Sequence, residues 1–142
     1  MDYMLLAKEL LSTRTKLNNL PAGEALIKMS EGEYYVLTLL FSNGLCAHPS
    51  QLSRSMAVST ARVAAILNKL EKKGFVQRSA DPDDERKVIV TLTDKGYFEV
   101  SLSTKNVLIH LSKILESLGP EDAKEYIRIQ KKLLASCTKM QS

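Results

Sequence analysis

The sequence predicts a mainly α-helical fold with a small β-wing, arranged as a winged helix-turn-helix with further helices at both ends. Apolar side chains recur at i, i+3, i+4 and i+7 from Val63 to Leu70, which is the period of an amphipathic helix. A shorter helix is predicted to begin at Pro49, and two β-like runs follow between residues 75 and 92. A two-stranded hairpin directly behind a helix-turn-helix forms a winged helix.

The N-terminal segment predicts one amphipathic helix followed by a break. Four leucines recur at close to helical spacing between Tyr3 and Leu20. They are Leu6, Leu10, Leu17 and Leu20. Pro21-Ala22-Gly23 interrupts this pattern, so we expect the residues up to Met29 to form a linker or a short turn.

A second helix is predicted from the apolar run between Tyr34 and Phe41. Ser30 and Glu33 have the spacing of a capping box, which would start this helix. The run is apolar nearly all round, so we expect the helix to be central, and Asn43-Gly44 to end it. Residues 45–47 then suit a short strand that adds to the wing sheet.

The helix-turn-helix is predicted from Pro49 to Gly74. Leu52 and Met56 form the apolar stripe of its first helix, and Ala57-Val58 would be the corner. Ser59 stands immediately before the second helix, where its side-chain oxygen can cap the free N–H groups. The buried stripe of that second helix is predicted to be Val63, Ile66, Leu67 and Leu70.

The wing and two C-terminal helices complete the predicted fold. Phe75–Arg78 and Lys87–Leu92 are the candidate strands, joined by an Asp-rich turn. Thr93 or Asp94 can cap a long helix that ends near Leu118. Pro120 then suits the first position of a last helix.

The terminal helices carry more apolar surface than one small domain can cover, which favours burial in a dimer. We expect one domain over residues 1–142, with a winged-helix lobe at 30–96 and dimerisation helices at 1–20 and 97–142. A larger monomeric bundle is the alternative.

Positive charge is concentrated in the predicted helix-turn-helix. The whole chain has a net charge of +4. From Gln51 to Arg78, six cations stand against one acidic residue, which gives +5, whereas Asp81–Lys87 carries −2. Such a distribution suits contact with the phosphates of duplex DNA. Because the turn is acidic, we expect it to present Arg86, held by Asp81 or Asp84, to the DNA and not to bind phosphates through a broad positive surface. The simpler interpretation is that these Asp residues only shape the turn.

The composition argues against an enzyme, a membrane protein or an exported protein. No catalytic triad, phosphate loop or metal-ligand spacing is present, and we expect no cofactor and no metal. No apolar run approaches the length of a membrane span, and no export signal is apparent, so a cytoplasmic protein is expected. Cys46 and Cys137 form no disulfide framework and are expected to be small apolar residues, with a redox switch as the alternative.

Residues 52–96 resemble the core of the MarR family of winged-helix transcription regulators. The shared features are four motifs in register: Leu52, Val58, Ser59 and Val63; Leu-Glu-Lys-Lys-Gly at 70–74; Asp-Pro-x-Asp-x-Arg at 81–86; and Leu-Thr-x-x-Gly at 92–96. Two positions depart from the family pattern. Asp83 stands where the wing often has Arg, which puts one wing contact in doubt, and Ala57 stands where the corner often has Gly.

The resemblance implies a homodimeric, sequence-specific regulator of transcription, with double-stranded DNA as its partner and repression as its expected effect. A two-fold dimer would set two recognition helices in successive major grooves, matching a palindromic site. The resemblance also implies that a small aromatic or amphipathic ligand binds between the dimerisation helices and the DNA-binding lobe and releases the DNA. Tyr34 and Tyr35 are the expected lining of such a cleft. Two other functions stay open: a winged-helix protein-interaction module without sequence-specific DNA binding, and a thiol-based redox-sensing regulator.

The expected DNA contacts fall into three groups. Arg62 can pair bidentately with guanine and Asn68 with adenine, whereas contacts to phosphate position the protein without specifying sequence. The base-reading candidates are Ser59, Thr60, Arg62 and Asn68. The phosphate candidates are Ser50, Gln51, Arg54, Lys69 and Lys72. The wing candidates are Asp84, Arg86 and Lys87.

Overall fold

The computed structural model describes residues 1–140, and within them it has seven helices and one small antiparallel sheet. The mainly α-helical fold with a β-wing is therefore as predicted. The elements in chain order are α1 (Tyr3–Asn18), α2 (Pro21–Met29), α3 (Gly32–Ser42), β1 (Cys46–Ala47), α4 (Pro49–Met56), α5 (Thr60–Lys72), β2 (Val76–Ala80), β3 (Val88–Leu92), α6 (Asp94–Leu118) and α7 (Pro120–Met140).

The chain divides into two compact units, Met1–Lys105 and the residues from Asn106 onward. The first unit holds α1 to β3 and the beginning of α6, and the second holds the remainder of α6 and α7. No helix within residues 1–140 combines the length and the apolar composition that a membrane span requires.

The core of the first unit lies between α3, α4, α5, the sheet and the start of α6. The predicted α5 stripe is confirmed, because Val63, Ile66, Leu67 and Leu70 are all buried. The predicted central position of α3 is confirmed as well. The buried residues that join this cluster from the other elements are Val36, Leu37, Leu40, Ala47, Leu52, Val76, Val90, Leu92 and Val100. The burial of these apolar surfaces fixes α5 with one face inward and the other exposed.

The three strands form one antiparallel sheet in the order β1-β3-β2. β3 is the central strand, with Cys46 paired to Thr91 on one side and Arg78 paired to Val90 on the other. The short strand β1, predicted within residues 45–47, is confirmed. The sheet therefore attaches the wing hairpin directly to the segment that enters the helix-turn-helix.

The prediction of a linker or short turn up to Met29 was wrong, because residues 21–29 form helix α2. Pro21 occupies the first turn of α2, where its missing N–H is no loss and its fixed φ suits the helix. Gly23 allows α2 to approach α1 closely, since a Cβ there would lie 2.3 Å from the Leu17 carbonyl oxygen. Proline and glycine here mark a helix start and a helix contact.

The predicted capping box before α3 was also wrong. The N-cap of α3 is Glu31, and the hydroxyl of Ser30 donates instead to the Leu26 and Ile27 carbonyls at the end of α2. Because α2 is a helix, its terminal carbonyls need donors, and Ser30 satisfies them. The role of Ser30 thus follows from the helix that the sequence pattern did not reveal.

The corner of the helix-turn-helix is held in a left-handed conformation by an alanine. Ala57 has φ 54° and ψ 42°, a region that non-glycine residues seldom adopt. The Ser53 hydroxyl donates to the Val58 carbonyl at 2.6 Å, and the Val58 N–H donates to the Ser53 carbonyl. These two hydrogen bonds across the corner set the entry into α5.

The second unit consists of two helical segments with many exposed apolar side chains. Gly119 (φ 79°) separates α6 from α7, and Pro120 takes the first position of α7 as predicted. The large apolar residues exposed on this unit are Leu108, Ile109, Ile114, Leu118, Tyr126, Ile127, Ile129, Leu133, Leu134 and Met140. Helix α1 in the first unit and helix α7 in the second contain no buried residue.

Candidate nucleic-acid interface

Helix α5 presents a polar and basic face above its buried stripe. Ser59 is the N-cap, as predicted, and its hydroxyl oxygen accepts the Arg62 backbone N–H at 3.2 Å. The residues predicted to read bases are all exposed, on the cap (Ser59) and on α5 itself (Thr60, Arg62 and Asn68). Arg62, Ala65 and Lys69 recur at i, i+3 and i+7, so they share one side of the helix. On this side the Arg62 guanidinium has the donors that can pair with guanine in the major groove.

Asn68 is not isolated on that face, because β2 places Arg78 against it. Nη2 of Arg78 donates to Oδ1 of Asn68 at 2.6 Å, and Nε of Arg78 donates to Oε2 of Glu71 at 3.2 Å. Hydrogen bonds from Arg78 lower the pKa of the Glu71 carboxyl below its ordinary value of 4.5. A planar guanidinium therefore joins two side chains of α5 to the first strand of the wing.

A groove of about 380 Å³ lies between the start of α4 and the start of β3. It brings together predicted phosphate contacts and a predicted wing residue that are far apart in sequence. The groove is lined by His48, Pro49, Ser50, Gln51, Arg54, Lys87 and Val88. Arg54 and Lys87 supply cations from two elements, and the Ser50 hydroxyl lies in the first turn of α4, a combination suited to a phosphate.

The wing tip presents Arg86 to solvent. The Arg86 side chain is 90% exposed, and its Nε donates to Oδ1 of Asp84 at 3.1 Å. Of the two carboxylates predicted to hold Arg86, the structure selects Asp84. Asp81 is buried instead, where its Oδ1 accepts the Asp83 N–H at 2.9 Å. Asp81 thus shapes the turn, and Asp84 orients the arginine that the turn carries.

Ion pairing divides the cations of the helix-turn-helix into two classes. Lys73 pairs with Glu33 at 2.6 Å, which raises the lysine pKa above its ordinary value of 10.5 through the hydrogen bond to that carboxylate. Arg78 pairs with Glu71. Within residues 1–140, the cations of this segment that form no ion pair are Arg54, Arg62, Lys69 and Lys72. Their charges are available to an anionic partner.

The two tyrosines predicted to line a ligand cleft are half-buried and point to different partners. The Tyr34 hydroxyl donates to Oε1 of Glu99, and the Tyr35 hydroxyl donates to the Ser55 carbonyl, each at 3.4 Å. The cysteines are free thiols, half-buried at Cys46 and exposed at Cys137. The ligand cleft at the two tyrosines and the redox switch at the cysteines stay predictions.

One contact at the interface was not predicted. The His48 ring lies between the Asp81 carboxylate and the backbone carbonyl of Val88. Val88 is 40 residues further along the chain than His48. The sequence does not reveal this contact because His48 has no periodic or motif relation to the wing. Only the pairing of β1 with β3 brings these residues together.

Comparison with known proteins agrees with the fold. Residues 29–88 match the MarR family. The chain is 32% identical over 103 residues to the HTH-type transcriptional regulator PrsX of Escherichia coli, covering 72% of this chain and 62% of PrsX. It is 33% identical over 104 residues to the uncharacterized HTH-type transcriptional regulator YkoM of Bacillus subtilis, covering 70% of this chain and 64% of YkoM. The chain therefore spans somewhat less than two thirds of either relative.

Among solved structures, a MarR family protein from Bacillus stearothermophilus superposes with a TM-score of 0.78. The superposition covers 97% of this chain and 99% of that protein at 21% sequence identity. At this identity the likeness is one of fold.

Proposed function

Since this chain belongs to the MarR family over residues 29–88, we propose that it is a transcriptional regulator that binds double-stranded DNA sequence-specifically. The observation that carries the proposal is the exposed polar face of α5. The groove at the start of α4 and the exposed Arg86 of the wing supply further cations. Both relatives described above are named transcriptional regulators. A regulatory role needs no catalytic group, so we assign no reaction and no cofactor to the chain.

The proposed DNA contacts follow the division of charge and exposure at the interface. Arg62 and Asn68 read base edges from the major groove, with Ser59 and Thr60 beside the first turn of α5. Ser50, Gln51, Arg54, Lys69 and Lys72 contact phosphates, which set register and supply most of the salt-dependent affinity. Arg86, oriented by Asp84 and flanked by Lys87, enters the adjacent minor groove.

A homodimer on a palindromic site is the second part of the proposal. Helix α1 exposes Leu10 and Leu11, and the second unit by itself exposes Leu134 and other large apolar side chains. Exposed apolar surface of this extent favours burial against a partner. A second copy of the chain supplies an identical surface with two-fold symmetry. Two copies of α5 then face half-sites about one helical turn apart.

Repression is the sign of regulation that we propose, because a dimer on promoter DNA excludes other proteins from that DNA. A small aromatic or amphipathic ligand would release it by binding the two states of the dimer unequally. The half-buried Tyr34, hydrogen-bonded to Glu99, supports a place for the ligand near α3. The protein would act in the cytoplasm, in the same compartment as the DNA that it binds. A thermal-shift screen of small aromatic acids, repeated with Tyr34→Phe, tests whether such a ligand binds near Tyr34.

Selection from a random duplex library tests the proposed function. The purified protein should enrich a palindrome with half-sites about one turn apart. Arg62→Ala should relax the preference at one base pair in each half-site at a cost of about 1–3 kcal/mol, whereas Lys69→Ala should weaken all sequences alike and reduce the salt slope by about 1. Enrichment of no sequence, with weak binding at every salt concentration, would favour a protein-interaction module instead.

A further inference from the structure

The His48 side chain connects the wing to the helix-turn-helix at a single point. His48 is the N-cap of α4, and its backbone N–H donates to Oε1 of Gln51 at 2.8 Å. Its ring reaches in the other direction. Nδ1 lies 3.0 Å from the carbonyl oxygen of Val88, the first residue of β3, and Nε2 lies 3.1 Å from Oδ2 of Asp81, just after β2. One ring therefore contacts both sides of the wing hairpin at the base of its tip.

The chemistry of the two contacts specifies the role of each ring nitrogen. A backbone carbonyl oxygen and a carboxylate oxygen only accept hydrogen bonds, so each nitrogen must donate a proton to form its contact. The ring with a proton on both nitrogens satisfies both acceptors, and the neutral ring satisfies one of them. The Asp81 side chain is 11% exposed, so few water molecules can replace the ring as its partner.

The residues that the ring holds are those that shape the wing tip. The Asp81 carboxylate accepts the Asp83 N–H, and the Asp81 backbone N–H donates to the Lys87 carbonyl across the turn. Arg86 lies inside the loop that this backbone hydrogen bond closes. A ring that fixes Asp81 and Val88 thereby fixes the loop that presents Arg86 relative to α4.

We propose that His48 is a positioning residue of the DNA interface, whose ring holds the wing tip against α4 through Asp81 and the Val88 carbonyl. The proposal rests on the proposed function for its effect on DNA, but its effect on the wing concerns the free protein. The charged groups around the ring are Asp81 from the turn, Lys87 immediately before β3, and Arg54 from α4.

Amide hydrogen exchange in the DNA-free protein tests the positioning directly. His48→Ala should speed exchange at the N–H groups of Asp81 and Lys87, which donate hydrogen bonds within the turn. His48→Asn keeps a donor near the Nδ1 position and His48→Gln keeps one near the Nε2 position, so each should restore part of the protection. His110→Ala, at the exposed histidine of α6, is the matched control and should leave these amides unchanged. Unchanged exchange in His48→Ala would overturn the proposal.

A double-mutant cycle with Arg86 then tests the consequence for DNA. Affinities for a selected duplex are measured for wild type, Arg86→Ala, His48→Ala and the double variant. The loss caused by Arg86→Ala should shrink about fivefold or more in the His48→Ala background, because the wing is no longer held in place. An equal loss in both backgrounds would overturn the proposal. If no duplex binds, the proposed function fails, and the exchange experiment still decides whether His48 holds the wing.

Asp81→Asn serves as the second test variant if His48→Ala does not fold. It removes the carboxylate that faces Nε2 and keeps the ring and its contact with the Val88 carbonyl, so it should also speed exchange in the turn. Unchanged exchange in Asp81→Asn would contradict the proposed role.

Discussion

The Arg78 guanidinium lies 2.6 Å from the amide oxygen of Asn68, so β2 and the exposed face of α5 are connected by one hydrogen bond. An amide oxygen has two lone pairs, so this contact leaves Asn68 able to accept from adenine and to donate to it. It also fixes which way the amide faces. Arg78 thereby orients a residue that we propose to read a base.

Asn68→Ala and Arg78→Ala are therefore predicted to have overlapping effects. Each should reduce the preference for one A·T pair per half-site by about 1–3 kcal/mol, and the double variant should lose little more than either single one. Binding of a duplex changed at that base pair measures the preference. Additive losses would show that Arg78 acts on the DNA independently of Asn68.

The same cluster predicts a titration. Hydrogen bonds from Arg78 hold the Glu71 pKa below 4.5, so the paired form is complete above pH 4.5 and is lost as the pH falls through the lowered pKa. Carboxyl NMR shifts followed against pH should show this low midpoint and its return upward in Arg78→Ala. Glu125, whose pKa is lowered by Arg128, is the internal control and should not move. A Glu71 midpoint indifferent to Arg78→Ala would contradict the geometry.

Arg86 is predicted to contribute to affinity through the wing. Arg86→Ala should weaken binding of a selected duplex about tenfold, the scale of one lost charge-assisted contact. Arg128→Ala is a matched control, because Arg128 is also an exposed arginine paired with a nearby carboxylate, 2.6 Å from Glu125, but it belongs to the second unit. Fluorescence anisotropy at one salt concentration compares the two, and equal losses would indicate a non-specific charge effect.

The left-handed corner predicts a stabilising substitution. Ala57→Gly removes the steric penalty of φ 54° and should raise the free energy of unfolding by about 1 kcal/mol. The identical change at Ala65, on the exposed face of helix α5, should lower it by about 1 kcal/mol because glycine disfavours helix interiors. Urea unfolding measures both. Destabilisation at both positions would mean that the corner is unstrained.

Periodicity and end signals predicted most of the fold because the elements that carry the core have strong local patterns. The α5 stripe, the Ser59 cap and the Pro120 start were all readable from residue spacing alone. Helix α2 was not, because Pro21 and Gly23 are read as breakers unless the packing of α2 on α1 is known. Ser30 was misassigned for the same reason.

The sequence predicts candidate residues for the interface but not the contacts that they make. Charge and helical periodicity along α5 predict that Arg62, Asn68 and Lys69 lie on its outer face, and the structure finds all three exposed. The partners of Asn68 and of Asp81 come from other elements, Arg78 on β2 and His48 before α4. Such pairs depend on strand register and helix placement, which the residue pattern of a single sequence does not predict.

An equilibrium titration against two duplexes shows whether this protein distinguishes one DNA sequence from another. One duplex carries the selected palindrome, and the other has the same bases in shuffled order, at the same salt concentration. We predict that the palindrome binds at least about 10³-fold more tightly, the usual lower bound for specific regulators. Equal affinity for the two duplexes would contradict the account.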